Sequence, residues 1–364
     1  MVWDTAPLLS LCKAYQPKTI GRKEMDPEGT YPVYGANGII GRYHSANHTE
    51  PELVIGCRGS CGVVNVTEGE AWITGNAMVL KPLDDRLDRD FLRHFLADPS
   101  ILANVITGVA QPQITRKSLS AVQIPIPPLA EQRRIVATLD EAFAGIATAT
   151  ANAEKNLANA RELFDAFRSA CMNDENWPRR ELGDIATNLD RLRQPITKKD
   201  RQAGSIPYYG ASGQVDSVRD HIFDEDLLLV SEDGANLLAR TYPIAFSISG
   251  KSWVNNHAHV LRFEHMETQK FVEAYLNGIS LEPYVSGMAQ PKLNQKQLNL
   301  IPIPLPDLDE QRDIVERLSE LAGYVEELVS IYTAKADSLS NLKRTFLTKA
   351  FSGELTNIER AAAA

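Results

Sequence analysis

Two stretches of the chain place apolar residues at alternating steps of four and three, the spacing of one face of a long helix. In the first, Ile135, Leu139, Ala142, Ile146, Ala149 and Ala153 lead, after one extra four-residue step, to Leu157, Ala160, Phe164, Phe167 and Cys171. In the second, Ile314, Leu318, Leu321, Val325, Leu328, Tyr332, Ala336 and Leu339 run on to Phe346 and Ala350. Only Lys343 interrupts this second seam, and neighbouring Leu342 is expected to cover that face. Neither seam contains a proline, so each predicts an unbroken coiled-coil helix, about 36 residues and about 55 Å long. A lone helix cannot bury such a stripe. The two are therefore expected to pack antiparallel, with globular halves at opposite ends about a pseudo-two-fold axis. Ahead of each seam the pattern shortens to β-favouring runs, Leu53-Val54-Ile55 and Leu227-Leu228-Leu229-Val230, with Gly35, Gly38, Gly56, Gly59 and Gly62 marking tight turns. A short helical pattern follows in each half, Phe91 to Leu96 and Phe271 to Leu276. The prolines at 125, 127 and 128 are then expected to stop regular structure and form a stiff, extended elbow.

The chain reads twice. Residues 110–132, AQPQITRKSLSAVQIPIPPLAEQ, align without a gap on residues 289–311, AQPKLNQKQLNLIPIPLPDLDEQ. Upstream, with small gaps, Trp3 answers to Trp177, Pro32–Gly38 to Pro207–Gly213, and WITGNAMVL (72–80) to WVNNHAHVL (253–261). The expected divisions are 1–130, 131–175, 176–309 and 310–364: a globular domain and a helix, each in two copies. The expected fold class is α/β of the α+β type. The last four alanines, Ala361 to Ala364, read as a frayed tail.

Composition changes the picture in one respect. The 364 residues carry 38 basic and 47 acidic side chains, a net charge of −9. The four divisions contribute −1, −3, −3 and −2, so none is basic. Bulk electrostatics therefore cannot hold this chain to nucleic acid, and any reading of DNA must be local. Four cysteines in a chain this long are no disulfide framework. No segment reads as a signal peptide or a membrane span, and a soluble cytoplasmic protein is the expectation.

Two copies of Gln-Pro-x-[Ile/Leu], Leu, Ile-Pro-x-Pro and Leu-x-Glu-Gln before a long helix resemble the specificity subunit of type I restriction–modification enzymes. Pro-x-Tyr-Gly-Ala-x-Gly in each copy and the Gly-x-Arg-Gly-Ser-x-Gly run from Gly56 to Gly62 strengthen the resemblance, which spans the whole chain. It implies two target-recognition domains, each reading half of a bipartite site on double-stranded DNA, and two spacer helices that dock methyltransferase subunits. It also implies restriction subunits that translocate and cut DNA. No cofactor is expected in this chain, S-adenosylmethionine, ATP and Mg belonging to the partners, and no catalytic residue, metal or membrane contact is expected here.

Candidate DNA contacts are polar or cationic loop residues, preferably repeated: Tyr34, Asn37, Arg58, Ser60, Asn76, Gln113, Arg116 and Lys117 in the first copy. The second copy offers Tyr209, Ser212, His257, Lys292, Gln295 and Lys296, with a basic cluster of Arg191, Arg193, Lys198, Lys199 and Arg201 at its start. The Gly-rich loop diverges, Gly56-Cys57-Arg58-Gly59-Ser60 becoming Ser231-Glu232-Asp233-Gly234-Ala235. That change alters either a phosphate contact or a base preference. Glu232-Asp233 itself reads as a solvated acidic pair. The phosphate-loop-like AFSISGKS (245–252) lacks a helix pattern after it. His44, His48, Cys57 and Cys61 have zinc-ligand chemistry but no counterpart in the second copy. Rival readings are the specificity subunit of a type IIB-like restriction system, a coiled-coil adaptor that binds no DNA, and an NTPase.

Overall fold

The computed structural model describes residues 3–83, 85–287 and 290–355. Two compact units form, residues 1–154 with 333–364 and residues 155–332. The tail Ala361–Ala364 lies outside the described residues, as do Ala289 of the repeated signature and Asp84.

The first unit is built on a four-stranded antiparallel sheet in the order Cys12–Tyr15, Ala77–Pro82, Leu53–Gly56, Val64–Val66. The Leu53-Val54-Ile55 run has no polar residue because both of its faces are buried. Leu53 and Ile55 join the main core beside Phe91, Leu92 and Phe95 of the helix Arg89–Leu96. Val54 points the other way, to Tyr34 and Ile73. These belong to a smaller sheet in the order Gly38–Tyr43, Tyr31–Gly35, Trp72–Ile73, whose last two strands are parallel.

The second unit repeats this plan. Its four-stranded sheet runs Thr187–Asn188, Ala258–Arg262, Leu227–Ser231, Ala245–Ile248, again antiparallel. Leu228 and Val230 pack toward Phe271 and Leu276 of the helix Met266–Gly278. Leu227 and Leu229 pack toward Phe223 and Val254 on the opposite side. The second sheet gains one edge strand, in the order Gly213–Val218, Ile206–Gly210, Lys251–Val254, Phe223–Asp224. Lys251 and Ser252 therefore lie in a strand, with Ser252 fully buried, in keeping with the lack of a helix pattern after AFSISGKS.

The proline segments also differ from expectation. Gln123–Pro125 and Pro302–Pro304 are not free elbows but strands, pairing antiparallel with Thr5–Pro7 and Arg179–Glu181. Proline is tolerated because each ladder has only two strands, so a missing N–H can face away from the pairing. The two N–H groups just beyond are used: Ile126 donates to Asp4 and Leu305 to Pro178, at 2.8 and 2.9 Å. The repeated Gln after each elbow now has a reason. Gln132, fully buried, donates to Pro127 and Arg86 carbonyls at 2.9 and 2.7 Å and accepts from the Asp88 N–H at 2.8 Å. Gln311 donates to the Pro306 carbonyl at 2.7 Å. Each glutamine clamps its proline turn to the helix that follows.

Those helices run Leu129–Cys171 and Leu308–Ser352. Within the second unit, Asn156 meets Tyr332 at 3.0 Å and the Arg317 guanidinium lies 5.3 Å from the Phe167 ring centre, so the helices are antiparallel there. Within the first unit, Ile135 and Leu139 share a core with Leu347 and Ala350. The seam is uneven. Ile135, Leu139, Ile314 and Leu318 are buried. Ile146, Leu157, Phe164, Phe167, Leu321, Val325, Leu339 and Phe346 are half-buried, and Leu328 is exposed. Leu342 does not cover the Lys343 face: Leu342 is exposed, and the Lys343 ammonium lies 5.1 Å from the Phe143 ring centre, so the lysine is itself a seam contact.

Candidate nucleic-acid interface

In the first unit four loops meet. The Gly-rich loop closes on itself through Gly56 N–H to Val63 and Gly62 N–H to Gly56, at 2.7 and 2.9 Å. A Cβ on Gly56 would lie 2.1 Å from the Ser60 oxygen and 2.3 Å from the Ala36 oxygen, so the hairpin turn Gly35–Gly38 sits directly against this loop. Cys57 N–H donates to Asn76 in the turn after Trp72–Ile73, and the Cys57 carbonyl accepts from Ile114, at 2.9 and 3.0 Å. Arg58 and Gln113 are bridge partners, and Thr107 and Gln113 exchange both backbone bonds. Asn37, Arg58, Ser60, Asn76 and Gln113 are thus gathered into one loop cluster, all exposed. Arg116 and Lys117 follow in the helix Arg116–Leu119, capped reciprocally by Thr115 and Ser118, and are exposed as well. Tyr34 is a correction: it is buried, and its hydroxyl accepts from the Glu68 N–H at 3.2 Å, so it supports the turn from beneath.

The thiols are spoken for. Cys57 accepts from Gln16 at 3.0 Å and Cys61 donates to the Pro112 carbonyl at 3.0 Å; burial pushes both thiols up. His48 pairs with Tyr15 through Nε2, at 2.9 Å. These side chains hold the loops together.

The second unit brings the matching elements together with different side chains. The Ser231 hydroxyl donates to the Ala211 carbonyl, Glu232 N–H to His257, and Leu293 N–H to Glu232, at 2.5, 2.9 and 2.8 Å. Asp233 and Lys292 are bridge partners, as Arg58 and Gln113 are. Ser212 is exposed and donates to the Tyr242 hydroxyl at 3.0 Å; His257, Lys292, Gln295 and Lys296 are exposed, and Tyr209 is half-buried against Phe246.

The acidic pair is not simply solvated. Glu232 is drawn into an ionic cluster, 2.6 Å from Arg193 and 3.1 Å from Lys292. Arg193 also donates to the Ala258 and Asp190 carbonyls at 2.7 and 3.0 Å. Asp190 bonds the Val260 N–H at 2.8 Å and the buried His259 Nδ1 at 2.5 Å, and His259 Nε2 faces the Leu293 carbonyl at 2.8 Å. Burial acts to raise both carboxyls, but the bonds from His259 to Asp190, and from Arg193 and Lys292 to Glu232, outweigh it and hold both below their usual range. Asp190, Glu232 and His259 offer ligand atoms within 4.8 Å of one another, yet the Arg193 guanidinium already supplies the countercharge.

Arg193 is therefore corrected from DNA contact to internal clamp, because its donors are used within the unit. Arg201 is likewise committed, 2.8 Å from Asp216 and over the Tyr208 ring. Arg191, Lys198 and Lys199 remain exposed. The clamp had a sequence signal. The repeat alignment sets Cys57 against Glu232 and Met78 against His259, a paired exchange of sulfur-bearing buried residues for a carboxylate and an imidazole.

The pattern of the type I restriction modification DNA specificity domain fits this chain twice, over residues 2–157 and 174–328. The chain belongs to that family. A 146-residue stretch is 34% identical to a Haemophilus influenzae protein provisionally named a type I restriction enzyme specificity subunit, covering 40% of this chain and 37% of that one. Over 71 residues it is 42% identical to the EcoDI specificity subunit of Escherichia coli, covering 20% and 16%. These matches span well under two thirds of those relatives. The MjaVIII specificity subunit of Methanocaldococcus jannaschii is 23% identical over 90% of this chain and 87% of its own. Among solved structures, a chain from a study of type I restriction–modification assembly and conformational transition superposes with a TM-score of 0.76. It is 17% identical and covers 97% of this chain and 98% of its own. The HsdS subunit of Thermoanaerobacter tengcongensis gives 0.56 at 18% identity, covering 97% of each. Both superpositions show that the two-unit, long-helix fold is shared. Among the described residues no helix is long and apolar enough to cross a membrane.

Proposed function

We propose that this family member is the non-catalytic specificity subunit of a type I restriction–modification complex, reading a bipartite duplex site with one half-site per unit. One observation carries the reading: the same four-loop cluster is built twice on the same topology, with different exposed side chains on each. Shared scaffold with divergent tips suits two half-sites of different sequence. The long helices, half-exposed along much of their length, are the docking surface for methyltransferase subunits, with translocating restriction subunits joining through that assembly. S-adenosylmethionine, ATP and Mg belong to those partners, and the complex acts on DNA in the cytoplasm. Because none of the four divisions is net basic, most phosphate neutralisation falls to the partners, and the lone chain binds duplex weakly.

The test is selection of duplexes from a randomised library by the chain assembled with its modification subunit. Two separated, unequal half-sites are expected. Arg58→Ala is expected to lower affinity for the selected duplex about tenfold or more, since a donor-only side chain at this loop serves a base edge or a phosphate. Unchanged affinity and consensus would remove Arg58 from the interface.

A further inference from the structure

Asp233 holds the loop position in the second unit that Arg58 holds in the first, each being the bridge partner of the residue after Gln-Pro. Its neighbour Glu232 turns inward to Arg193, leaving Asp233 as the outward member of the pair. Gly234, at φ +111°, turns the chain immediately after it. The Asp233 carboxylate is fixed by His257, whose Nδ1 lies 2.8 and 3.1 Å from its two oxygens. The main chain of His257 is fixed in turn, its backbone N–H donating to Asn255 Oδ1 at 2.8 Å. The side chains of Asp233 and His257 keep 35% and 51% of their exposure, so the pair is held in place without being covered.

We propose that Asp233 is a specificity-determining residue that accepts a hydrogen bond from an exocyclic base amino group, cytosine N4 or adenine N6, in the second half-site. This rests on the DNA-reading function proposed above. A carboxylate only accepts, so phosphates, guanine O6 and N7, and thymine O4 all repel it. The amino groups of cytosine and adenine are the only donors the major groove displays. Arg58 only donates, and meets guanine or a phosphate. Exchanging one for the other at a shared loop position therefore converts a donor-reading tip into an acceptor-reading tip. His257 is a positioning residue that keeps the carboxylate from swinging away.

The library selection tests this with the full chain in its modification complex. The wild-type consensus is expected to hold C or A at one defined position of the second half-site, and that base identifies which amino group is read. Asp233→Ala is expected to relax that position about tenfold to a hundredfold while the first half-site stays intact, and Asp233→Asn, whose amide still accepts and now also donates, is expected to favour adenine there. His257→Ala is expected to relax the same position less, a single-base effect that a merely structural role would not produce. If Asp233→Ala keeps the wild-type consensus, the assignment is overturned while the DNA-reading function stands. If the wild-type complex selects no sequence at all, the DNA-reading function fails and the assignment falls with it.

Discussion

Arg193→Ala is expected to destabilise the second unit by about 3–5 kcal/mol, the usual consequence of removing one partner from a largely buried ion pair. Its side chain keeps 13% of its exposure, and those of Glu232 and Asp190 keep 12% and 7%. Without the guanidinium, two desolvated carboxylates share a site that, among the described residues, His259 and the half-exposed Lys292 are left to balance. The Ala258 carbonyl also loses its donor. Denaturant unfolding should show a separate, earlier transition for the second unit, with the first unit unchanged. The wild-type cluster sets a pH dependence of definite sign. Asp190 and Glu232 titrate below their ordinary values of 3.8 and 4.5. Their stabilising contribution is therefore fully present above about pH 4.5 and is lost as pH falls through their lowered folded values. A wild-type second unit whose stability is flat from pH 6 to pH 3, or an Arg193→Ala protein as stable as wild type, would contradict the clamp.

Gln132→Ala is expected to cost about 2–4 kcal/mol. It removes the bonds to the Arg86 and Pro127 carbonyls and from the Asp88 N–H, and opens a cavity at a fully buried position. Gln311→Ala is expected to cost less, because Gln311 makes one such bond, to Pro306, and its Oε1 has no partner among the described residues. Equal losses for the two variants, read from unfolding midpoints, would show that the clamp is not what distinguishes them.

The repeat, the paired recognition units and the two helices are legible in the sequence because each is carried by periodic burial or by a gapless echo. Register along the helices is less legible. Lys343 reads as an interruption until its ring partner Phe143 is seen, since a 3–4 pattern counts only apolar residues. The proline ladders escape for a similar reason: proline is penalised in sheets, and only a two-stranded ladder open on one side accommodates it. At the candidate interface, residue type and loop position pick out Asn37, Arg58, Asn76 and Gln113 together. They fail for Arg193 and Arg201, because a sequence does not say which cations in a basic cluster are already paired. Glu232 and Asp233 are adjacent in sequence and opposite in role, one inside a buried network and one at the surface. Only the partners that converge from distant segments separate them.

The central claim is that each unit reads its own half of a divided DNA site. Its most direct test is to exchange residues 1–130 for the first recognition domain of another family member, assemble the hybrid with the modification subunit, and map the methylated sites. One half-site is expected to change completely while the other is retained. A change in both halves, or in neither, would contradict it.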